Sequence, residues 1–316
     1  MKNKISIVIS VFNEEEGIYS FGNNLMQALR EMHDTNFELI WVNDGSTDKS
    51  HQLIQKIIDN YKSNNLSHFS IEFSRNFGHE SAMIAGIDNA TGDAIICMDA
   101  DGQHPAIEIP KMISSFLDGN DYVLMKRTKR NDNGIVKRVL SSMFYKMINA
   151  LSEIKFQQNS SDYFLISKNI ASILKTSYRE KNRFLRGFIQ SLGFYSTSIS
   201  FIAPEREYGT SHYSYKNLFR LALSAIFTFS FKPLRISIYF SILFILVTII
   251  IAFYSLFQYI YGNNPPSGYT TIILFMSFSF ASLFFVLSIL LLYLEKMIEE
   301  TQQRPLYIIK RKKLHI

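Results

Sequence analysis

Gly92-Asp93-Ala94-Ile95-Ile96-Cys97-Met98-Asp99-Ala100-Asp101-Gly102-Gln103-His104-Pro105 decides the fold class of this 316-residue chain. An apolar run of strand length, Ala94 to Met98, ends in two carboxylates one residue apart. Such a run fits a strand buried on both faces of a parallel sheet. Side chains alternate along a strand, so Asp99 and Asp101 share one side if extended geometry continues. Ligands of open α/β sheets collect at the carboxyl ends of strands, where this pair falls. Two hard oxygen ligands there suit Mg2+ or Mn2+ shared with a substrate diphosphate. An acidic turn closing the strand is the alternative reading. A calcium loop is excluded: His104 stands where the sixth-position glycine belongs, and no glutamate occupies the twelfth.

Working outward, the same grammar repeats. Ile5–Val11 is a strand followed by Phe12-Asn13-Glu14-Glu15-Glu16, whose acidic residues suit a helix start. Phe37–Val42 is a second strand, and Asn43-Asp44-Gly45-Ser46-Thr47-Asp48 is a turn into a helix capped by Ser46 or Thr47. Phe69–Phe73 is a third, followed by Ser74-Arg75-Asn76-Phe77-Gly78 and a helix to about Ala90. Pro105 opens a helix through about Leu117, and Tyr122–Met125 is a fifth strand. The alternation predicts a mostly parallel α/β sheet with helices on both faces. Neither a G-x-x-x-x-G-K-[ST] loop nor a G-x-G-x-x-G turn is present, so a nucleotide must be held otherwise, at the acidic strand ends. After the fifth strand comes a basic cluster, Lys126-Arg127-Thr128-Lys129-Arg130 and then Lys137-Arg138. Arg127, nearest the strand end, is the candidate for a donor diphosphate. The rest reads as a solvated or lipid-facing surface.

From Ile236 to Leu294 there is no Asp, Glu, Lys, Arg or His. Two apolar stretches, Ile236–Tyr261 and Tyr269–Leu294, flank the turn Gly262-Asn263-Asn264-Pro265-Pro266-Ser267-Gly268. Each exceeds the roughly 20 residues that cross a bilayer, so both read as transmembrane helices. Lys232, Arg235, Lys296 and Lys310-Arg311-Lys312-Lys313 lie outside the pair, while the loop is uncharged. Both termini therefore face the cytoplasm and the loop faces the periplasm. Met1-Lys2-Asn3-Lys4 carries no signal-peptide pattern. A single cysteine, Cys97, rules out an intrachain disulfide and fits a reducing compartment. A net charge of +6 points to anionic lipid and phosphate-bearing substrates rather than nucleic acid. Lys216–Phe229 has helically spaced apolar residues and reads as an interfacial helix; Ile135–Leu151 reads as that or as a helix packed on the soluble domain.

Ser6–Glu14, Val42–Asp48, Phe73–Gly78 and Met98–Pro105 together resemble the family 2 glycosyltransferases of GT-A fold. Asn182-Arg183-Phe184-Leu185-Arg186-Gly187, Ser230–Arg235 and Glu299–Tyr307 narrow the resemblance to polyprenyl-phosphate glycosyltransferases, the group of dolichol-phosphate mannose synthase and bactoprenol glucosyltransferases. It spans nearly the whole chain. The resemblance implies a donor site containing Ser10, Phe12, Asn13, Glu14, Asp44, Arg75, Asp99 and Ala100. It implies Mg2+ or Mn2+ on Asp99, Asp101 and Gln103, with Asp101 and Asp162 at the reacting centre. Arg206, Ser211 and His212 match the acceptor side. Two positions depart from the pattern: Phe164 and His212 stand where the group has arginine and lysine, so the resemblance implies that each lacks a cation beside the acceptor phosphate.

The implied enzyme is a metal-dependent, inverting transferase in a bacterial inner membrane. It moves one sugar from a nucleotide-sugar, UDP-glucose first, to undecaprenyl phosphate. UDP-N-acetylhexosamine, UDP-galactose and GDP-mannose stay open, as does a catalytically inactive membrane scaffold or lipid-binding subunit. The expected divisions are a catalytic domain 1–212, an interfacial helix 213–235, two spans over 236–294 with a loop at 262–268, and a cytoplasmic tail 295–316. A homo-oligomer is expected, a tetramer among the options. A processive synthase is disfavoured, because the sole tryptophan is Trp41 and a Gln-x-x-Arg-Trp motif is missing.

Overall fold

The apolar runs form strands Asn3–Val11 (β1), Thr35–Asn43 (β2), Leu66–Phe73 (β3), Ala94–Asp99 (β4) and Tyr122–Arg127 (β5). Three more complete the set: Ser160–Ser167 (β6), Ser196–Phe201 (β7) and Ile309–His315 (β8). This computed structural model describes residues 3–61, 65–128, 160–181, 184–204, 232–261 and 268–315. They fall into two compact units, one holding all eight strands and the other the two longest helices.

The sheet order is β7-β5-β6-β4-β1-β2-β3-β8. Six strands run one way; β6 and β8 are antiparallel to their neighbours. The expected mostly parallel α/β sheet is therefore present. β1, β2 and β4 lie at its centre, which is why their sequences are apolar at consecutive positions rather than alternate ones.

Helices Ile18–Arg30 (α1), Ser50–Asn60 (α2), His79–Asn89 (α3), Ile109–Leu117 (α4), Lys168–Thr176 (α5) and Leu185–Ser191 (α6) cover the sheet. In α1 the buried residues Ile18, Phe21, Gly22, Leu25, Met26 and Leu29 recur at three- and four-residue steps, one face of a helix. This face packs with α2 and α4 over Ile7, Ile9, Leu39, Trp41 and Met98. α3 lies against β1 and β2. A Cβ at Gly86 would sit 2.1 Å from Val8 Cγ1, so only glycine permits that approach.

Two features differ from the sequence expectation. The segment read as a cytoplasmic tail contributes β8, paired along β3 from His68↔His315 to Phe73↔Ile309. A run of cations suits an exposed sheet edge, where charge discourages further pairing. Phe164, expected beside the acceptor, is 1% exposed in mid-β6, its ring edge-on to Tyr122 at 6.2 Å.

The second unit contains helices Lys232–Tyr261 (α7) and Tyr269–Thr301 (α8). Phe240 meets Phe285 and Phe244 meets Phe275 and Phe278, so the two run antiparallel. Hydroxyls at Ser241, Thr248, Ser279, Ser282 and Ser288 donate to carbonyls four residues back, satisfying themselves within their own helix. Among the described residues, one stretch, Phe278–Thr301, is long and apolar enough to cross a membrane; Ser237–Ile251 is a shorter apolar run. Residues 205–231 and 262–267 lie outside the described residues, and with them the interfacial helix at Lys216–Phe229 and most of the loop. So do Ile135–Leu151 and the basic residues from Lys129 to Arg138.

Candidate active site

The carboxyl ends of β1 to β5 share one edge of the sheet, and β6 begins there because it runs the other way. β4 pairs with β6 at Cys97↔Phe164. Continuing that register two residues brings Asp162 level with Asp99. Extended geometry stops at Asp99; Ala100–Gly102 bend away, and Asp101 Oδ1 accepts the Gln103 N–H at 3.0 Å. The acidic pair is therefore a strand end plus a turn, rather than two residues on one strand face.

Asp99 Oδ1 accepts from Ser10 Oγ at 3.2 Å and lies 3.2 Å from His79 Nδ1. His79 Nε2 is 3.8 Å from Asp162 Oδ2, so this imidazole stands between the two carboxylates. Burial disfavours the imidazolium, but Asp99, Asp162 and Glu80 outweigh it and push the His79 pKa up to about 9. Burial raises Asp99, opposed by His79 and His104. Asp162 is held low: burial alone would raise it, but Arg186, with Nε 2.8 Å from Asp162 Oδ1, favours the carboxylate.

His104 is buried, stacked on Tyr163 at 5.0 Å, and burial lowers its pKa. The Asp99 N–H donates to its Nδ1 at 2.9 Å, which puts the ring proton on Nε2, facing Ser161 Oγ at 2.8 Å. His104 thus anchors the turn as a neutral ring. Arg127 Nη1 donates to Gln103 Oε1 at 3.0 Å. The expected third metal ligand is thereby turned to Arg127 in this arrangement, and Arg127 stands at the site with a partner already engaged.

The β1 and β2 loops interlock. Asn13, at φ 54, accepts from the Thr47 N–H at 2.9 Å, and its own N–H donates to Ser46 Oγ at 3.0 Å. Asparagine tolerates this left-handed backbone. The Glu14 N–H donates to Ser50 Oγ at 2.9 Å, while Phe12 projects outward, 42% exposed. Asp44 is buried and accepts the N–H groups of Phe77 and Gly78 at 2.7 and 2.9 Å. Burial raises its pKa against those two bonds. A Cβ at Gly45 would lie 2.3 Å from the Arg75 carbonyl carbon, so the β2 and β3 loops touch backbone to backbone. Arg75 folds over the Phe77 ring at 4.1 Å. The Ala100 N–H donates to the Ser10 carbonyl at 3.2 Å, tying β4 to β1.

Ser10, Asn13, Asp44, Arg75, Asp99, Asp101, Gln103, Arg127 and Asp162 thus share one sheet edge. Arg206, Ser211 and His212 lie outside the described residues. The residues to which the sequence alone assigns no role in the site are His79, His104 and Arg186. His79 offered one signal: it opens the helix after β3, at the edge where ligands collect. Among the described residues no three His, Cys, Asp or Glu side chains gather as a metal cage. The two aspartates still suit an ion that draws its other ligands from a substrate diphosphate, as Mg2+ does.

The model of Glycosyl transferase family 2 matches residues 6–174, from β1 into α5. The bactoprenol glucosyl transferase of Shigella phage SfX is 33% identical over 310 residues, 98% of this chain and 100% of its own. The prophage bactoprenol glucosyl transferase homolog of Escherichia coli K12 is 34% identical over 310 residues, 98% and 99% of the two chains. The uncharacterized glycosyltransferase YkcC of Bacillus subtilis is 31% identical over 308 residues, 97% and 93%. The matched region carries the acidic pair, its interlocked loops and Asp162, and the chain belongs to glycosyl transferase family 2.

Proposed function

We propose that this protein transfers one sugar, with inversion, from a nucleotide-sugar to a polyprenyl phosphate at the cytoplasmic face of a membrane. UDP-glucose and undecaprenyl phosphate are the substrates of first choice. The observation that carries this reading is the Asp99–Asp101 pair at the end of β4, with Asp162 level with it, in a family 2 chain. In support, relatives named bactoprenol glucosyl transferase match along 98% of the chain, the apolar helices included.

An acceptor phosphate oxygen attacks the anomeric carbon as the bond from that carbon to the nucleotide diphosphate breaks. The electron pair leaves with the diphosphate, and stabilising that growing charge is the main demand on the site. Mg2+ or Mn2+ on Asp99 and Asp101 would neutralise part of it, with Gln103 a further oxygen ligand. Arg127, freed from Gln103, suits the diphosphate oxygens. Asn13, Asp44 and Arg75 form the nucleoside end of the donor site. A phosphate monoester has a second pKa of about 6, so its oxygen is mostly deprotonated at neutral pH and no base is required. Asp162 then serves to hold Arg186 beside the acceptor phosphate. α7 and α8 act as two spans with both ends on the cytoplasmic side, bringing the site to its lipid.

The test is a donor panel. Purified protein, undecaprenyl phosphate and Mn2+ are combined with UDP-glucose, UDP-galactose, UDP-N-acetylglucosamine or GDP-mannose, and organic-phase lipid is analysed. One donor should yield a glycosyl phospholipid. Donor hydrolysis alone, or no product from any donor, contradicts the proposal.

A further inference from the structure

Residues 304–308, which follow α8 in the chain, lie across the end of β3 next to the loop that holds Asp44. Tyr307 stacks on Phe73, with centroids 5.2 Å apart and planes 10° apart. Its hydroxyl donates to Asp88 Oδ2 at 2.6 Å, and Arg179 grips the same carboxylate at 2.8 to 3.1 Å. Burial, followed by that hydrogen bond, raises the Tyr307 pKa, so the hydroxyl stays a donor. The Ile308 carbonyl accepts the Ser74 N–H at 3.0 Å. Phe73 in turn meets Phe77 edge-on at 5.7 Å. The Phe77 and Gly78 N–H groups are the ones that orient Asp44. Contacts thus run without a gap from Tyr307 through Phe73 and Phe77 to Asp44.

We infer that Tyr307 is a positioning residue for the nucleotide: the 304–308 strap sets the β3 loop and, through it, the Asp44 carboxylate. The inference rests on the proposed reading of Asp44 as part of the donor site. It makes the segment leaving the apolar helices a working part of that site, tied to the far end of α3 through Asp88. Tyr307 touches no substrate; it acts through the backbone donors of Phe77 and Gly78. Coupling is reciprocal, so nucleotide binding must also steady the strap.

The test uses the full-length protein in detergent with Mn2+, and UDP and GDP as probes in calorimetry. Tyr307→Leu removes the stack and the hydroxyl and should weaken nucleotide binding about tenfold, within the span of ordinary coupling energies. The KM for undecaprenyl phosphate should stay put. Tyr307→Phe keeps the stack and should recover most of the affinity. A purely structural tyrosine would lower the melting midpoint in both variants and leave nucleotide affinity unchanged in folded protein, overturning the inference. On the unaltered chain, hydrogen exchange should slow at Ser74, Phe77 and Gly78 and within 304–309 when UDP or GDP binds. Protection confined to the β3 loop, with the strap unmoved, also overturns it, whether or not the leucine variant folds. Asp44→Asn separates the two readings. If it loses nucleotide affinity while Tyr307→Leu does not, only this inference falls. If Asp44→Asn binds normally, or the wild type binds neither nucleotide, the donor-site reading falls and takes this one with it.

Discussion

Phe164→Arg introduces the residue that the resembled polyprenyl-phosphate pattern has at this position, yet here it should destabilise the sheet domain rather than improve acceptor capture. The ring is 1% exposed, edge-on to Tyr122 and level with Cys97 on β4. Removing a buried phenylalanine costs about 3–5 kcal/mol in cavity terms, and arginine fills the space only by burying a cation. That burial costs several kcal/mol unless a carboxylate compensates. Asp162, on the same face of β6, is already matched by Arg186 at 2.8 Å. A net loss of about 4 kcal/mol is expected, and for a domain of this size it lowers the melting midpoint by roughly 8–16 °C. Trp41 is the sole tryptophan and fully buried against Phe21, so its fluorescence reports unfolding without a label. Phe164→Leu should cost only about 1–2 kcal/mol. A Phe164→Arg protein that melts like wild type and shows a changed KM for lipid phosphate would refute this placement, opening the ring position to the acceptor.

Other expectations concern charge and topology. In metal-free protein, protonated His79 is stabilised by its carboxylate neighbours; with its pKa raised from 6.5 to about 9, that contribution is complete below 6.5 and lost as pH rises through about 9. His79→Gln should flatten the fall in stability over that window, and an unchanged slope in chelator-treated protein would contradict the assignment. Asp162→Asn should lower the plateau of the pH–rate profile and leave its acidic limb near the acceptor's own pKa of about 6. Loss of the limb with rescue at high pH would instead make Asp162 a base. Because Cys97 is buried, a cysteine at Ser267 can be labelled selectively, and an impermeant thiol reagent should reach it from outside intact cells. Labelling only after lysis would reverse the topology.

The five strands legible in the sequence are those whose residues are apolar through burial or that end in a motif, β1 to β5. β6 is not legible as a strand, though Asp162 and Phe164 stand out in it, because Ser160-Ser161-Asp162 opens it with polar residues that belong to the site edge. β7 reads Ser-Thr-Ser-Ile-Ser-Phe and alternates in burial, an edge strand without a continuous apolar run. β8 is masked by its four consecutive cations, which an exposed edge accommodates. In the site, paired carboxylates announced themselves by spacing. His79 and Arg186 did not, since their roles arise from the register of β4 with β6 and from the docking of α3 and α6, which no local pattern encodes. Gln103 was legible as an oxygen donor, but its capture by Arg127 depends on a contact across 24 positions.

The most direct test of the account is sugar transfer to undecaprenyl phosphate by purified wild-type and Asp101→Asn proteins across a Mn2+ titration, read as lipid-linked sugar. The substitution keeps size and removes one carboxylate charge. Wild type should form product that rises with Mn2+ and disappears with chelator, while Asp101→Asn, with an unshifted Trp41 unfolding midpoint, should form essentially none at any Mn2+ concentration. Near-normal product from Asp101→Asn at limiting Mn2+ would contradict the assignment of the acidic pair.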